Sequence, residues 1–209
     1  MMLALIAVGA WFTRDRWMSK VPGGPSATVA TASGWEPLTP DAGARGKRAI
    51  DGLSSASGPV YANLRASEVA SYVFQNVGHT IPAGADSAEA AVIGDVLYVR
   101  AVVPVKALAG SGVLGPLGGL LNDRERLSFG GTFHVVRPGL SEFQVREIKL
   151  RDFKVPTGAI PRLLQQISRN RPEGVASDAI PVPTPRALGD VRIANHVVTL
   201  YKSTGQARP

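Results

Sequence analysis

The 209-residue chain contains no cysteine. That excludes disulfides, thiolate nucleophiles and every thiolate-ligated zinc site, and it leaves the redox compartment open. Aromatic residues make up only 6%, too few for the stacking platforms that bind single-stranded nucleic acid. Histidine is scarce as well. The three stand at 79, 134 and 196 and form no H-x-x-x-H or H-E-x-x-H pair, so no metal centre is expected. His134 falls on the polar side of a strand pattern and His196 in a turn, as ordinary surface residues do. No G-x-S-x-G elbow occurs. There is no run of five like charges either, although the net charge is +7. Such a charge suits nucleic acid or an anionic membrane surface. Between Glu142 and Arg171, however, seven Lys/Arg alternate with three Asp/Glu and with apolar residues. That is the pattern of a solvated strand face, and no nucleic-acid partner is expected.

What is present begins with an uncharged apolar run, Met1 to Phe12, within a segment 1–18 that ends in Thr13-Arg14-Asp15-Arg16-Trp17. Twelve helical residues reach about 18 Å, short of the roughly 30 Å hydrocarbon core. Three readings are open: a signal peptide cleaved after Val8-x-Ala10, the second half of a transmembrane anchor, or an interfacial segment with Trp11 and Trp17 at headgroup level. The expectation is a short membrane anchor. Residues 19–59 are dense in Pro, Gly, Ser, Thr and Ala without sustained periodicity. They are expected to form a flexible tether spanning roughly 35 Å as a coil, with Trp35 as its one docking residue.

Residues 60–203 read as a single α+β domain, with 204–209 as a tail. Ser67 suits an N-cap, and Val69, Tyr72, Val73 and Val77 follow at helical spacing up to Gly78. Ala90–Ile93 and Val96–Val105 flank Gly94-Asp95, which suits a two-residue type II′ hairpin. From Glu125 to Val136, the residues Leu127, Phe129, Gly131, Phe133 and Val135 alternate with polar or small ones. After the Pro138-Gly139 turn the apolar parity flips between Val145 and Ile148, and again between Leu150 and Phe153. Two β-bulges are therefore expected, and with them a curved sheet. Pro161 opens a second helix over 160–169, Asp178–Pro185 must be extended, and Val191–Ile193 with Val197–Tyr201 form a closing hairpin. The expected architecture is a long curved antiparallel sheet whose apolar face is covered by two amphipathic helices.

Gly110-Ser111-Gly112-Val113-Leu114-Gly115 fits G-x-G-x-x-G by letter, but no strand directly precedes it and Pro116, Gly118 and Gly119 spoil the helix that should follow. The surrounding segment 107–121 has no charge. It must pack on the core, cover a ligand or touch a membrane. The carboxylates Glu142, Glu147 and Asp152 alternate with basic residues and suit cross-strand pairs better than an acid/base dyad. No catalytic group and no cofactor are expected.

Three stretches carry a resemblance: Leu64-Arg65-Ala66-Ser67-Glu68-Val69, Val96-Leu97-Tyr98-Val99, and Leu188 to Leu200 with its central Asn195-His196. In order and pattern they resemble the YpmS-like and LmeA-like membrane-anchored envelope proteins, related in style to tubular lipid-binding domains. The family prefers Asp/Asn-Gly where this chain has Asn195-His196. The resemblance implies a domain tethered on the extracytoplasmic (periplasmic) side of the cell membrane, and a lipid as ligand.

The functional expectation is therefore a non-enzymatic, membrane-tethered protein that holds an apolar ligand between sheet and helices. The expected groove residues are Val69, Tyr72, Val73, Leu97, Val99, Phe129, Phe133, Leu163 and Ile167. Leu114, Leu117, Leu120 and Leu121 would form a lip over the groove, and Arg162 and Arg169 would sit near a headgroup. The alternative is an accessory subunit that docks onto a membrane protein complex through 107–121.

Overall fold

The computed structural model describes residues 34–76, 86–104, 122–167 and 171–203. In chain order they form β1 (Glu36–Pro37), α1 (Pro40–Ser54), β2 (Tyr61–Leu64), α2 (Ala66–Asn76), β3 (Asp86–Ile93), β4 (Val96–Pro104), β5 (Arg124–Arg137), β6 (Leu140–Leu150) and β7 (Phe153–Lys154). A 3-10 turn at Thr157–Ala159 leads into α3 (Ile160–Ile167), followed by β8 (Ala179–Pro183), β9 (Leu188–Ala194) and β10 (Val197–Lys202). The fold is α+β, built on a long antiparallel sheet in the order β1-β3-β4-β5-β6-β7, with β8 also paired to β6. A second sheet, β2-β10-β9, completes the set.

The strand patterns became strands for the expected reasons. Gly94 takes φ +64 in the β3–β4 turn while Asp95 stays at negative φ, as a type II′ turn requires. In β4, Leu97, Val99, Ala101 and Val103 are buried at alternate positions, and Leu97 and Val99 stand opposite Gly131 and Phe129 of β5. The β9–β10 hairpin closes with both Asn195 (φ 50) and His196 (φ 63) left-handed, the type I′ geometry for which Gly is the easier second residue. His196 Nδ1 lies 3.2 Å from the Val92 carbonyl oxygen. Facing a carbonyl, the ring nitrogen must donate, and this bond ties the hairpin tip to β3.

One of the two expected bulges is present and the other is not. Gly130 pairs with Glu147 and Gly131 with Val145, which leaves Arg146 as the extra residue of β6. A bulge of this kind bends a strand and increases its twist. The second parity flip is a chain reversal instead: Leu150 pairs with Phe153, and Arg151 turns the corner at φ 56. Two residues between paired positions flip parity as a bulge does, so the pattern alone does not distinguish them.

The tether expected over 19–59 is corrected from Trp35 onward. α1 begins where Thr39 accepts a hydrogen bond from the Ala42 amide at 3.1 Å, with Pro40 at the first helical turn and Asp41 beside it. Its buried stripe is Ala42, Gly43, Gly46, Ile50 and Leu53. These are mostly small residues, so the helical period passes unnoticed beside the Pro/Gly-rich composition. Gly46 is required by close approach, because a Cβ there would stand 2.5 Å from the Glu68 carbonyl oxygen of α2. Trp35 docks on the domain itself, with the Arg100 guanidinium 3.9 Å from the centre of its ring.

Ser67 is not the cap of α2. It lies in the first turn and donates its hydroxyl to Glu36 Oε2. Instead Glu68 reaches back to the Arg65 amide at 3.1 Å, half of a capping box. The cover of the large sheet is also richer than two helices. Ile50 and Leu53 of α1, Val69 and Ala70 of α2, and Ile160 and Leu164 of α3 share one core with Leu64, Leu188, Val198 and Leu200 of the small sheet. On the opposite face of the large sheet, Leu140, Val175 and Ala179 form a separate small cluster.

Among the described residues no helix is long and apolar enough to cross a membrane. The expected anchor 1–18, the apolar segment 107–121, the tail 204–209, Val77, Gly78 and His79 lie outside the described residues, as does Arg169.

Candidate functional site

The core closes imperfectly where α2 meets the two sheets. Tyr72, Val73 and Phe74 on the C-terminal half of α2 are only half-buried, although they belong with the core. Two adjacent hollows open beneath them. The first is lined by Ile50 and Leu53 from α1, Val69, Tyr72 and Val73 from α2, Phe133, Ser141 and Val182 from the large sheet, and Thr184, Pro185, Leu188, Val191 and Leu200. The second is lined by Ala70, Val73, Phe74, Leu97, Val99, Phe129, Phe133, Phe143, Ile180 and Val182. Val73, Phe133 and Val182 border both, so the two are ends of one fissure. Its empty space is about 40 Å³ in the first hollow and about 30 Å³ in the second. One water needs about 10–15 Å³ on that measure, so the fissure as it stands has room for a few small groups.

The chemistry of the lining is uniform. Polar atoms contribute nothing to the surface of the first hollow, which is half-open to solvent. The Ser141 and Thr184 hydroxyls satisfy each other, with Ser141 Oγ 2.9 Å from Thr184 Oγ1. Tyr72 keeps its proton to higher pH than ordinary tyrosine, because burial disfavours the phenolate and the nearby Asp51 carboxylate adds to that, with Lys47 opposing. The rings of Phe74, Phe129, Phe143 and Phe133 form an edge-to-face chain along the second hollow, with centroids 6.2, 6.3 and 5.0 Å apart. Gly131 makes this possible: a Cβ there would meet the Phe143 ring at 2.8 Å and the Gln144 carbonyl oxygen at 2.2 Å.

The expected site residues divide clearly. Val69, Tyr72, Val73, Leu97, Val99, Phe129 and Phe133 all border the fissure. Leu163 is half-buried and Arg162 exposed, and neither borders it, because α3 turns Ile160 and Leu164 into the core. Ile167 ends α3. The lip residues Leu114, Leu117, Leu120 and Leu121 lie outside the described residues. Sequence reasoning missed the contribution of α1 and of the small sheet. The signal for Ile50 and Leu53 was available in Thr39-Pro40-Asp41, a cap followed by a helix start.

The polar constellations lie elsewhere. Glu147 on the outer face of β6 is bonded to Lys149 and stands 3.7 Å from Lys154. The Lys149 bond holds its carboxyl below the usual carboxylate range, against a smaller effect of burial. Lys149 stands two residues along the same strand, so only the longer contact to Lys154 of β7 is the cross-strand pairing expected of that carboxylate. Glu125 is buried on the inner face opposite Val103. It accepts from the Asn122 amide at 2.9 Å and side chain at 2.8 Å, with Arg151 at 3.8 Å. Among the described residues no group of three or more His, Asp or Glu stands where it could hold a metal ion. No protein-family model, curated protein or solved structure matches the chain.

Proposed function

We propose that this chain is a non-enzymatic, membrane-tethered envelope protein whose domain holds one linear apolar chain, of the kind a lipid carries, in the fissure beneath α2. The observation that carries the reading is the fissure itself: half-open, bordered by half-buried Tyr72 and Val73, and apolar at its surface. Small ligand sites are typically apolar and few per protein. Each methylene that leaves water for such a lining contributes about 0.8 kcal/mol. Part of that gain is spent on widening, because the present space admits only a few groups. Binding therefore requires α2 to shift or its half-buried side chains to rotate, and a modest, reversible affinity follows. The resemblance to tubular lipid-binding-like envelope proteins supports the choice of a lipid and of the extracytoplasmic side, and the apolar run Met1–Phe12 supports a tether.

Native mass spectrometry of the full chain, extracted from membranes in mild detergent, tests the proposal. A one-to-one adduct with the mass of a lipid is expected, displaced by excess 1-hexadecanol. A protein that emerges without lipid and takes up no hexadecanol contradicts the reading.

A further inference from the structure

We infer that the chain held in the fissure carries an anionic head, and that Arg186 receives it. The inference rests on the proposed binding of an apolar chain and adds the chemistry of its polar end. Pro185 lines the first hollow, and Arg186, the next residue, is exposed. Two observations place this segment beside the β5–β6 turn. The Thr184 amide donates to the Gly139 carbonyl at 3.2 Å, and the Arg186 Cγ lies 3.7 Å from where a Cβ on Gly139 would stand. The side chain therefore leaves the backbone beside the β5–β6 turn, next in sequence to the rim residue Pro185.

Three other cations near the lining are already committed to carboxylates. Lys47 is paired with Asp51 at 2.5 Å, Arg45 with Glu68 at 2.9 Å, and Arg192 with Asp190 at 3.0 Å. These pairs also neutralise the carboxylates that adjoin Ile50, Val69 and Val191. Arg186 has no ion pair and no side-chain hydrogen bond among the described residues. Arg186 is thus a cation next in sequence to a lining residue, with no carboxylate partner among the described residues. A guanidinium offers a planar fork of donors suited to a carboxylate or a phosphate. An amphiphile whose tail enters past Pro185 brings its head to that fork, and the match selects a singly tailed anion over a neutral alcohol of equal length.

The test is a set of titrations on the full chain after removal of bound lipid, with palmitate, 1-hexadecanol, acetate and inorganic phosphate as probes. Palmitate is expected to bind about fivefold more tightly than 1-hexadecanol, the size of an exposed ion pair, and the preference should shrink as salt is raised. Arg186→Gln should remove the preference while leaving hexadecanol affinity unchanged, and Arg186→Lys should keep most of it. Acetate and phosphate alone should not bind. Equal affinities for palmitate and hexadecanol, or a preference that survives R186Q, overturn the role of Arg186 and leave the fissure standing. Arg186-dependent binding of acetate or phosphate alone replaces it with a free-anion site. Binding of neither amphiphile overturns both this inference and the proposal it rests on.

Discussion

Replacing Gly46 by alanine sets two effects of known size against each other. In a helix interior alanine is favoured over glycine by about 1 kcal/mol, so the change should stabilise α1 if nothing touched it. At Gly46, however, the added Cβ would stand 2.5 Å from the Glu68 carbonyl oxygen and 3.3 Å from the Tyr72 Cβ. The first contact is with backbone and nearly an ångström too short, so α1 and α2 must part. Overpacking of that kind costs about 1–3 kcal/mol. Gly52 supplies the control, since it lies in the same helix and a Cβ there meets nothing within 4 Å. Gly52→Ala should therefore raise stability by about 0.5–1 kcal/mol and Gly46→Ala should lower it by about 1 kcal/mol. Urea unfolding followed by far-UV circular dichroism reads both, and the difference between them isolates the interhelical contact. If Gly46→Ala stabilises as much as Gly52→Ala does, α1 is not packed on α2 through Gly46, and the wall that Ile50 and Leu53 give the fissure is misplaced.

Two further outcomes follow from the sheet. Gly131→Ala should destabilise by about 2–3 kcal/mol or more, because its Cβ meets the Gln144 backbone oxygen at 2.2 Å, whereas Gly130→Ala meets mainly the Tyr98 side chain and should cost less; thermal unfolding of the two variants decides. Glu147, held below the ordinary carboxylate value by Lys149, contributes stability that is present above its unfolded pKa and is lost as pH falls through its lower folded pKa. Stability measured between about pH 5 and pH 3 should therefore fall less steeply in Glu147→Gln than in the parent, and identical acid limbs would refute the assignment.

The strands and their apolar face were legible because a two-residue period survives whatever covers it. Leu97, Val99, Phe129 and Phe133 could be assigned to one face from spacing alone. The face's cover was only partly legible. α2 announced itself through Val69, Tyr72 and Val73, but α1 buries Ala42, Gly43 and Gly46, and small residues carry a helical period that hydropathy barely registers. The reversal at Arg151 was misread as a bulge because both change parity by the same step. Arg162 was assigned to a headgroup for its charge and its helix, yet α3 turns Ile160 and Leu164 into the core, leaves Arg162 exposed and contributes no residue to the fissure lining. Arg186 drew no notice, because only the pairing of β8 with β6 and the fold-back at Thr184 bring the residues after Pro183 to the rim.

The central claim is that the fissure beneath α2 receives an apolar chain, and Val73 tests it most directly because it borders both hollows and is half-buried. In Val73→Trp part of the indole fills the fissure, and because Val73 is half-buried the rest of the ring can turn toward solvent, so folding should persist while the space is filled. Titration of the delipidated variant with 1-hexadecanol should then show affinity reduced at least tenfold, about 1.4 kcal/mol or two buried methylenes, with unfolding still cooperative. Hexadecanol binding of parental strength in a folded Val73→Trp protein would contradict the account, since the chain would have to be held somewhere other than the fissure.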